Sequence, residues 1–311
     1  MSQLPPSSGR LAREGQLSHV PDYELAAYGP AQREDYLRLL HQAWGDDTLT
    51  GDEFDWWFGG NPAGSLMSVA RDDGRVIGVA SHSLYRMVLG GEERLASFSV
   101  HATTDPAARG RGIFVALERK HEQEAEERGV AVVLAFASAP TAPLFLGPLG
   151  WTDIAQLRIW ARPLPVGRKH GERVERFEPA GDAAADWPNH ILRDAGYLNW
   201  RYLDSPRDYA AFRAAGGYAV VGHKRHRGRA VALVADLVGP VRPLLRACIA
   251  GVRPGARVLF AVPGRGEAAA YLSCGFVPTP RSLHFMGKSL AEPLDLDPRA
   301  WRFTLGDTDF F

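Results

Sequence analysis

Hydrophobic positions recur along the chain first at helical and then at strand spacing. Over residues 31–44 the apolar side chains Tyr36, Leu37, Leu40 and Trp44 share one face of a helix that starts after the Gly29-Pro30 break. Residues 65–71 and 76–82 are short β-rich runs about the turn Asp72-Asp73-Gly74-Arg75, which predicts an antiparallel hairpin. A further strand is expected over 95–104. A Gly-rich loop then leads into a helix reaching Arg128, with Glu118, Glu122, Glu126 and Glu127 expected on its exposed face and Gly129 as its stop. Residues 130–137 form a continuous apolar run, the pattern of a strand buried on both faces. Residues 4–18 show no periodicity and read as a mobile tail.

The same order returns after the proline-rich joint Arg162-Pro163-Leu164-Pro165. Trp57-Phe58, a proline, a strand, a polar turn and a strand are answered by Trp200-Arg201-Tyr202, Pro206, residues 217–223, a turn at 224–229 and residues 230–237. Leu149-Gly150-Trp151 is answered by Cys274-Gly275-Phe276. The second copy is the shorter, and its missing stretch falls where the first holds its Gly-rich loop, as in a duplication with one working site and one scaffold copy. The expected organisation is a tail over 1–20, a catalytic domain over 21–165, a degenerate copy over 166–290 and a C-terminal tail over 291–311. That last segment is aromatic-rich, and Trp301, Phe303, Leu305, Phe310 and Phe311 predict that it docks across the active-site cleft.

Composition narrows the function. Lys plus Arg and Asp plus Glu both number 36, so no global field gathers nucleic acid or an anionic membrane. Two cysteines cannot build a disulfide framework or a four-thiolate metal site, and no run approaches a membrane span or a signal peptide. A cytoplasmic protein with no metal is expected. The basic run His223-Lys224-Arg225-His226-Arg227-Gly228-Arg229 reads as a solvated hairpin tip, and the Trp56-Trp57 pair as core.

Arg109-Gly110-Arg111-Gly112-Ile113 carries the candidate chemistry. Glycines let the backbone approach a ligand, and the following helix presents free N–H groups at the positive end of its dipole. Such a loop cradles a pyrophosphate, with Arg109 and Arg111 to neutralise it. The dinucleotide pattern fails at Val115, and the Gly-Lys-Ser/Thr of a nucleotide-binding P-loop is missing.

Residues 104–113 resemble the pyrophosphate motif of the GNAT superfamily of acyl-CoA-dependent N-acyltransferases, an Arg or Gln, two residues, Gly, one residue, then a small residue, with Phe114 departing at the last position. The order of the chain is similar to the tandem-GNAT branch related to the enhanced intracellular survival acetyltransferases. The resemblance implies an α/β fold (α+β mixed sheets) of two tandem GNAT-like domains, the second degenerate. It implies acetyl-CoA, or another short acyl-CoA, held by Val100, Thr103, Thr104, Arg109, Gly110, Arg111, Gly112, Ile113, Phe114 and Thr141. It further implies acetyl transfer to the primary amine of a small molecule by direct attack in a ternary complex, with a homodimer left open. The family's tyrosine acid would fall on Leu146, and no carboxylate lies on the 95–104 strand. The base is therefore sought among His101, Asp307, Asp309 and the terminal carboxylate of Phe311, which the related enzymes place in the active site. The rival readings are an acyl-CoA sensor without catalysis and an aminoacyl transferase of the peptidoglycan-bridge type.

Overall fold

Paired left-handed turns at Asp73-Gly74 and Gly90-Gly91 close two tight hairpins and set the first half of the chain into a meander. The computed structural model describes residues 22–45, 48–164, 173–178, 181–184, 186–226, 228–291 and 293–308. The meander comprises β1 (Glu24–Ala27), β2 (Ser65–Asp72), β3 (Arg75–Leu89) and β4 (Glu92–Thr104), all antiparallel. Helices α1 (Arg33–Trp44) and α2 (Gly51–Phe54) stand between β1 and β2. The crossover helix α3 (Ile113–Glu127) returns the chain to β5 (Val132–Ala137), parallel to β4 and buried at every position. After α4 (Ala142–Leu146) comes β6 (Thr152–Pro163).

The second half repeats this order. Beyond β7 (Asn189–Ile191) it runs α5 (Ala195–Leu198), β8 (Asp208–Ala214), β9 (Gly217–His226), β10 (Arg229–Val238), α6 (Val241–Gly251), β11 (Val258–Ala261), α7 (Ala268–Ser273) and β12 (Val277–Ser289), before a short β13 (Trp301–Arg302). Residues 105–112 join β4 to α3, whereas only Gly239 and Pro240 join β10 to α6. The loop missing from the second copy is therefore the Gly-rich one. The repeat is in register one residue away from the expected pairing. Each copy has a short helix running into a single π turn, Asp55–Gly59 and Asn199–Leu203, which matches Trp56, not Trp57, with Trp200. The two indoles stack at 5.5 Å, and each ring N–H points at the other's backbone carbonyl, at 2.9 and 3.4 Å.

One mixed α/β sheet runs through both copies in the order β1-β2-β3-β4-β5-β12-β6-β11-β10-β9-β8. The last strand of each copy is exchanged: β12 lies between β5 and β6, and β6 between β12 and β11. Residue 165 lies just past β6, so the expected division follows the sequence repeat while the strand pairing runs across it. One apolar cluster joins Trp57, Phe98 and Phe136 to Trp200, Phe285 and Phe303.

The carboxylates expected on the exposed face of α3 are not all exposed. Glu118 is wholly buried, accepting hydrogen bonds from Ser99 Oγ and bonding His82 Nε2, both at 2.9 Å. Glu122 accepts from Trp151 Nε1 and Lys288 Nζ, each at 2.6 Å. A helix packed across a sheet buries more than a narrow stripe, and side-chain partners from the strands satisfy what lies beneath.

Residues 301–308 are threaded into the protein. Phe303 packs against Phe98, Phe136 and Phe285 at ring separations of 6.0, 5.1 and 4.4 Å. Asp307 is buried and takes both oxygens to Arg193 Nη2, at 2.9 and 2.7 Å, while Arg193 Nε reaches Asp236 at 3.0 Å. Asp307 is therefore a structural counter-ion and not a base.

Candidate active site

The site begins where β4 leaves its neighbours. β4 and β5 pair from Ala96–Val132 to Ser99–Ala135, and no registered pair follows. On its other edge β4 slips register against β3, since Val100 faces Ser81 and Thr103 faces Val79. His101 and Ala102 fall inside that bulge, and His101 takes a left-handed φ of +50°. The divergence of β4 from β5 opens a cavity of about 330 Å³ lined by Ser99, Val100, His101, Phe114, Phe136 and Thr141. Phe114 stands edge-on to Phe145 at 5.3 Å, and Ser138 and Thr141 share a hydrogen bond of 2.9 Å.

The Gly-rich loop borders this region from the helix side. Gly110 and Gly112 have φ of +82° and +75°, Gly112 is the N-cap of α3, and a β-carbon on either would meet nothing within 4 Å. The α3 N-terminus is thus open in front, as an anion cradle requires. Arg109 and Gly110 are exposed there. Arg111 is not available in the same way, because its guanidinium is held by Asp22 at 2.7 Å and Asp72 at 2.9 Å. Ile113 points its side chain inward, where a β-carbon on Gly78 would come within 2.5 Å of it, so any contact it makes with a ligand is through its backbone. Thr103 and Thr104 are registered against Val79 and Gly78, beyond the bulge.

A second cavity, also about 330 Å³, meets the first at Thr48, His101 and Lys224. Its remaining wall includes Glu53 from α2 and Arg207, Asp208, Tyr209, His223 and Arg225 from the second copy. The basic run read as a solvated hairpin tip therefore contributes His223, Lys224 and Arg225 to a cavity that Thr48, Thr50 and Glu53 of the first copy also line. Trp57 lies at the junction: Arg207 and Arg201 cover its ring at 4.4 and 4.5 Å, its Nε1 donates to Ser83 Oγ at 2.6 Å, and His101 meets it edge-on at 5.3 Å. Tyr209 was missed from sequence altogether. Only its place in the second copy, opposite Gly222 on β9, hinted that it could face inward.

Electrostatics separate the candidate bases. Burial, reinforced by the cations Arg207, Lys224 and Arg201, pushes the His101 imidazole down to about 3, so it is neutral near pH 7 and a poor proton acceptor. Burial pushes the Tyr209 phenol up, but Arg201 and Arg207 outweigh that and hold it below the usual tyrosine range. Leu146, in the family's tyrosine position, is exposed at the end of α4. Tyr271, its counterpart in the second copy, is buried against Phe276. Asp309 and Phe311 lie outside the described residues. Thr308, just before them, has its carbonyl 3.5 Å from Arg201 Nη2. Among the described residues no group of three His, Cys, Asp or Glu side chains could hold a metal ion, and no helix is long and apolar enough to cross a membrane.

Residues 25–153 match the family model of the acetyltransferase (GNAT) domain. The match covers the bulged strand, the Gly-rich loop and α3, and it implies acyl-CoA-dependent acyl transfer. No curated protein matches the chain. Among solved structures the chain is similar to a GCN5-related N-acetyltransferase from Anabaena variabilis, at 14% identity and a TM-score of 0.60 over 86% of this chain and 73% of that one. It is similar to Eis1 from Mycobacterium abscessus, at 16% identity and 0.54 over 86% and 73%. It is also similar to the N-myristoyltransferase of Saccharomyces cerevisiae, solved with bound myristoyl-CoA, at 10% identity and 0.63 over 86% and 83%. At these identities the likeness is one of fold. The matched region ends within β6, so the second copy, which supplies Arg207, Tyr209 and Lys224, lies outside it.

Proposed function

We propose that the protein is an N-acyltransferase that moves an acetyl group from acetyl-CoA to the primary amine of a small molecule, a cytoplasmic enzyme of the tandem-GNAT branch. The observation that carries this reading is the junction of two cavities at the β4 bulge. One cavity lies between diverging parallel strands next to an open helix N-terminus, and the other is walled by the second copy. The first suits pantetheine, with Gly110, Gly112 and Arg109 toward the pyrophosphate and Val100, Phe114 and Thr141 along the arm. The second suits the acceptor.

In the reaction the amine nitrogen attacks the thioester carbonyl, the C–N bond forms, the C–S bond breaks and the thiolate leaves to be protonated as free CoA. Backbone N–H groups of the bulge are the donors for the developing oxyanion. The amine must first lose a proton. Tyr209, whose phenol ionises more readily than usual, stands on the acceptor wall for that step, and the terminal carboxylate of Phe311 is the second candidate. Both replace His101, whose imidazole is too weak a base. Free-thiol release from acetyl-CoA, measured against a panel of amines, tests the reading. Release that depends on an amine supports it, whereas CoA binding with no release from any amine supports a sensor.

A further inference from the structure

We infer that the acceptor carries an anionic group, a carboxylate or a phosphate, and that Lys224 and Arg225 with Arg207 bind it on the wall of the second cavity. This rests on the acyltransferase reading and goes on to name its substrate class. The chain as a whole is neutral, with 36 basic and 36 acidic side chains, so a local excess of one sign is a property of this site. Around the cavity Arg207, Lys224 and Arg225 stand against Glu53 and Asp208. Both carboxylates are already engaged: Glu53 accepts from Arg207 Nε at 3.0 Å, and Asp208 from Arg253 Nη1 at 2.6 Å, a guanidinium outside the lining. Arg225 Nη2 donates to the carbonyl of Gly228, which leaves its charge uncompensated by that contact. A fourth cation, Arg201, is wholly buried behind Trp57, and its hydrogen bonds go to the carbonyls of Gly306 and Thr308.

Two groups on the wall feel the same cations of the second copy. Beyond the effect of burial, Arg207 and Arg201 favour both the neutral form of His101 and the anionic form of Tyr209, and Lys224 adds to the first. A bare alkylammonium entering this cavity meets like charge, whereas an amine that also bears a carboxylate or phosphate gains charge-assisted hydrogen bonds that offset the repulsion. The same field eases removal of the ammonium proton, so the anion anchors the molecule while the cations help to free its nucleophile.

Matched pairs test the inference: amino acids against their C-terminal amides for a carboxylate, and glucosamine 6-phosphate against glucosamine for a phosphate. The first readout is thiol release from acetyl-CoA. The second is binding to the CoA-loaded protein, followed by tryptophan fluorescence, which does not require turnover. In at least one pair the anionic member should bind and react at least tenfold better. Arg225→Gln should raise the KM of the anionic member at least tenfold relative to that of the neutral member and so remove most of that advantage, and Lys224→Glu should reverse it. Equal or weaker binding of the anionic member in every pair overturns the inference, as does an Arg225→Gln loss shared equally by both members. Thiol release with the neutral members alone sinks the anionic acceptor and leaves the acyltransferase standing. A protein that binds the anionic members but releases no thiol with any amine fails as an acyltransferase while its anion site survives.

Discussion

Replacing His101 by Asn removes one titrating group while keeping a residue that tolerates its φ of +50°. The folded protein holds this imidazole at about 3, whereas an unfolded chain releases it to its ordinary value near 6.5. Between those values the unfolded state binds a proton that the folded state refuses. The group therefore leaves stability untouched above pH 6.5 and withdraws it as the pH falls toward 3. The shift from 6.5 to about 3 predicts a loss of about 2 kcal/mol at pH 5 and about 3 kcal/mol at pH 4, relative to pH 7.5. His121, buried with neither ring nitrogen hydrogen-bonded and likewise held well below its ordinary value, adds the same acid sensitivity to both proteins and cancels in the comparison. Urea denaturation at pH 7.5, 6, 5 and 4 measures it. The His101→Asn protein starts from a different stability because its packing changes, so the relevant quantity is the divergence of the two curves. Wild type should lose about 2 kcal/mol more than the variant by pH 5. Parallel curves would show that His101 is solvated or charged in the folded protein, and the account of His101 as a buried group among cations would fall with it.

Three further outcomes are expected. Gly112→Glu sets bulk and negative charge at the α3 N-terminus and should weaken CoA binding by at least tenfold in calorimetry, about 1.4 kcal/mol, with circular dichroism checking that the variant folds. Asp307→Ala strands the buried Arg193 with one carboxylate in place of two and should cost about 3–5 kcal/mol in chemical denaturation, a loss that Asp297→Ala on the exposed surface should not share. Deleting Phe310 and Phe311 should leave the melting temperature unchanged and lower turnover by about 10²-fold if the terminal carboxylate is the base, whereas a lower melting temperature with full turnover would make the tail a cover for an apolar seam.

Local pattern carried much of the fold. The 65–82 hairpin, the strand before the Gly-rich loop, the apolar run to Ala137 and the repeat itself all follow from short-range periodicity and turn chemistry, which act within a few residues and so are written in sequence. The Gly-rich loop was legible for the same reason: its glycines and the helix behind it are neighbours in the chain. What periodicity could not assign was which side of an element another element would cover. Glu118 and Glu122 sit at spacings that suit a solvated helix face, yet α3 lies across the sheet and His82, Ser99, Trp151 and Lys288 come from distant strands to satisfy them. The exchange of β6 and β12 was equally hidden, because two copies with the same strand pattern can pair within or across the repeat at the same local energy. The wall of the second cavity was decided in the same way. Lys224 and Arg225 look like a polar turn until the shared sheet brings β9 opposite α2 and the β4 bulge. By itself the sequence determined the local elements and the Gly-rich loop ahead of α3. Tertiary packing alone decided that the charges of the second copy face the cavity of the first, since burial and electrostatic field depend on neighbours more than a hundred residues away.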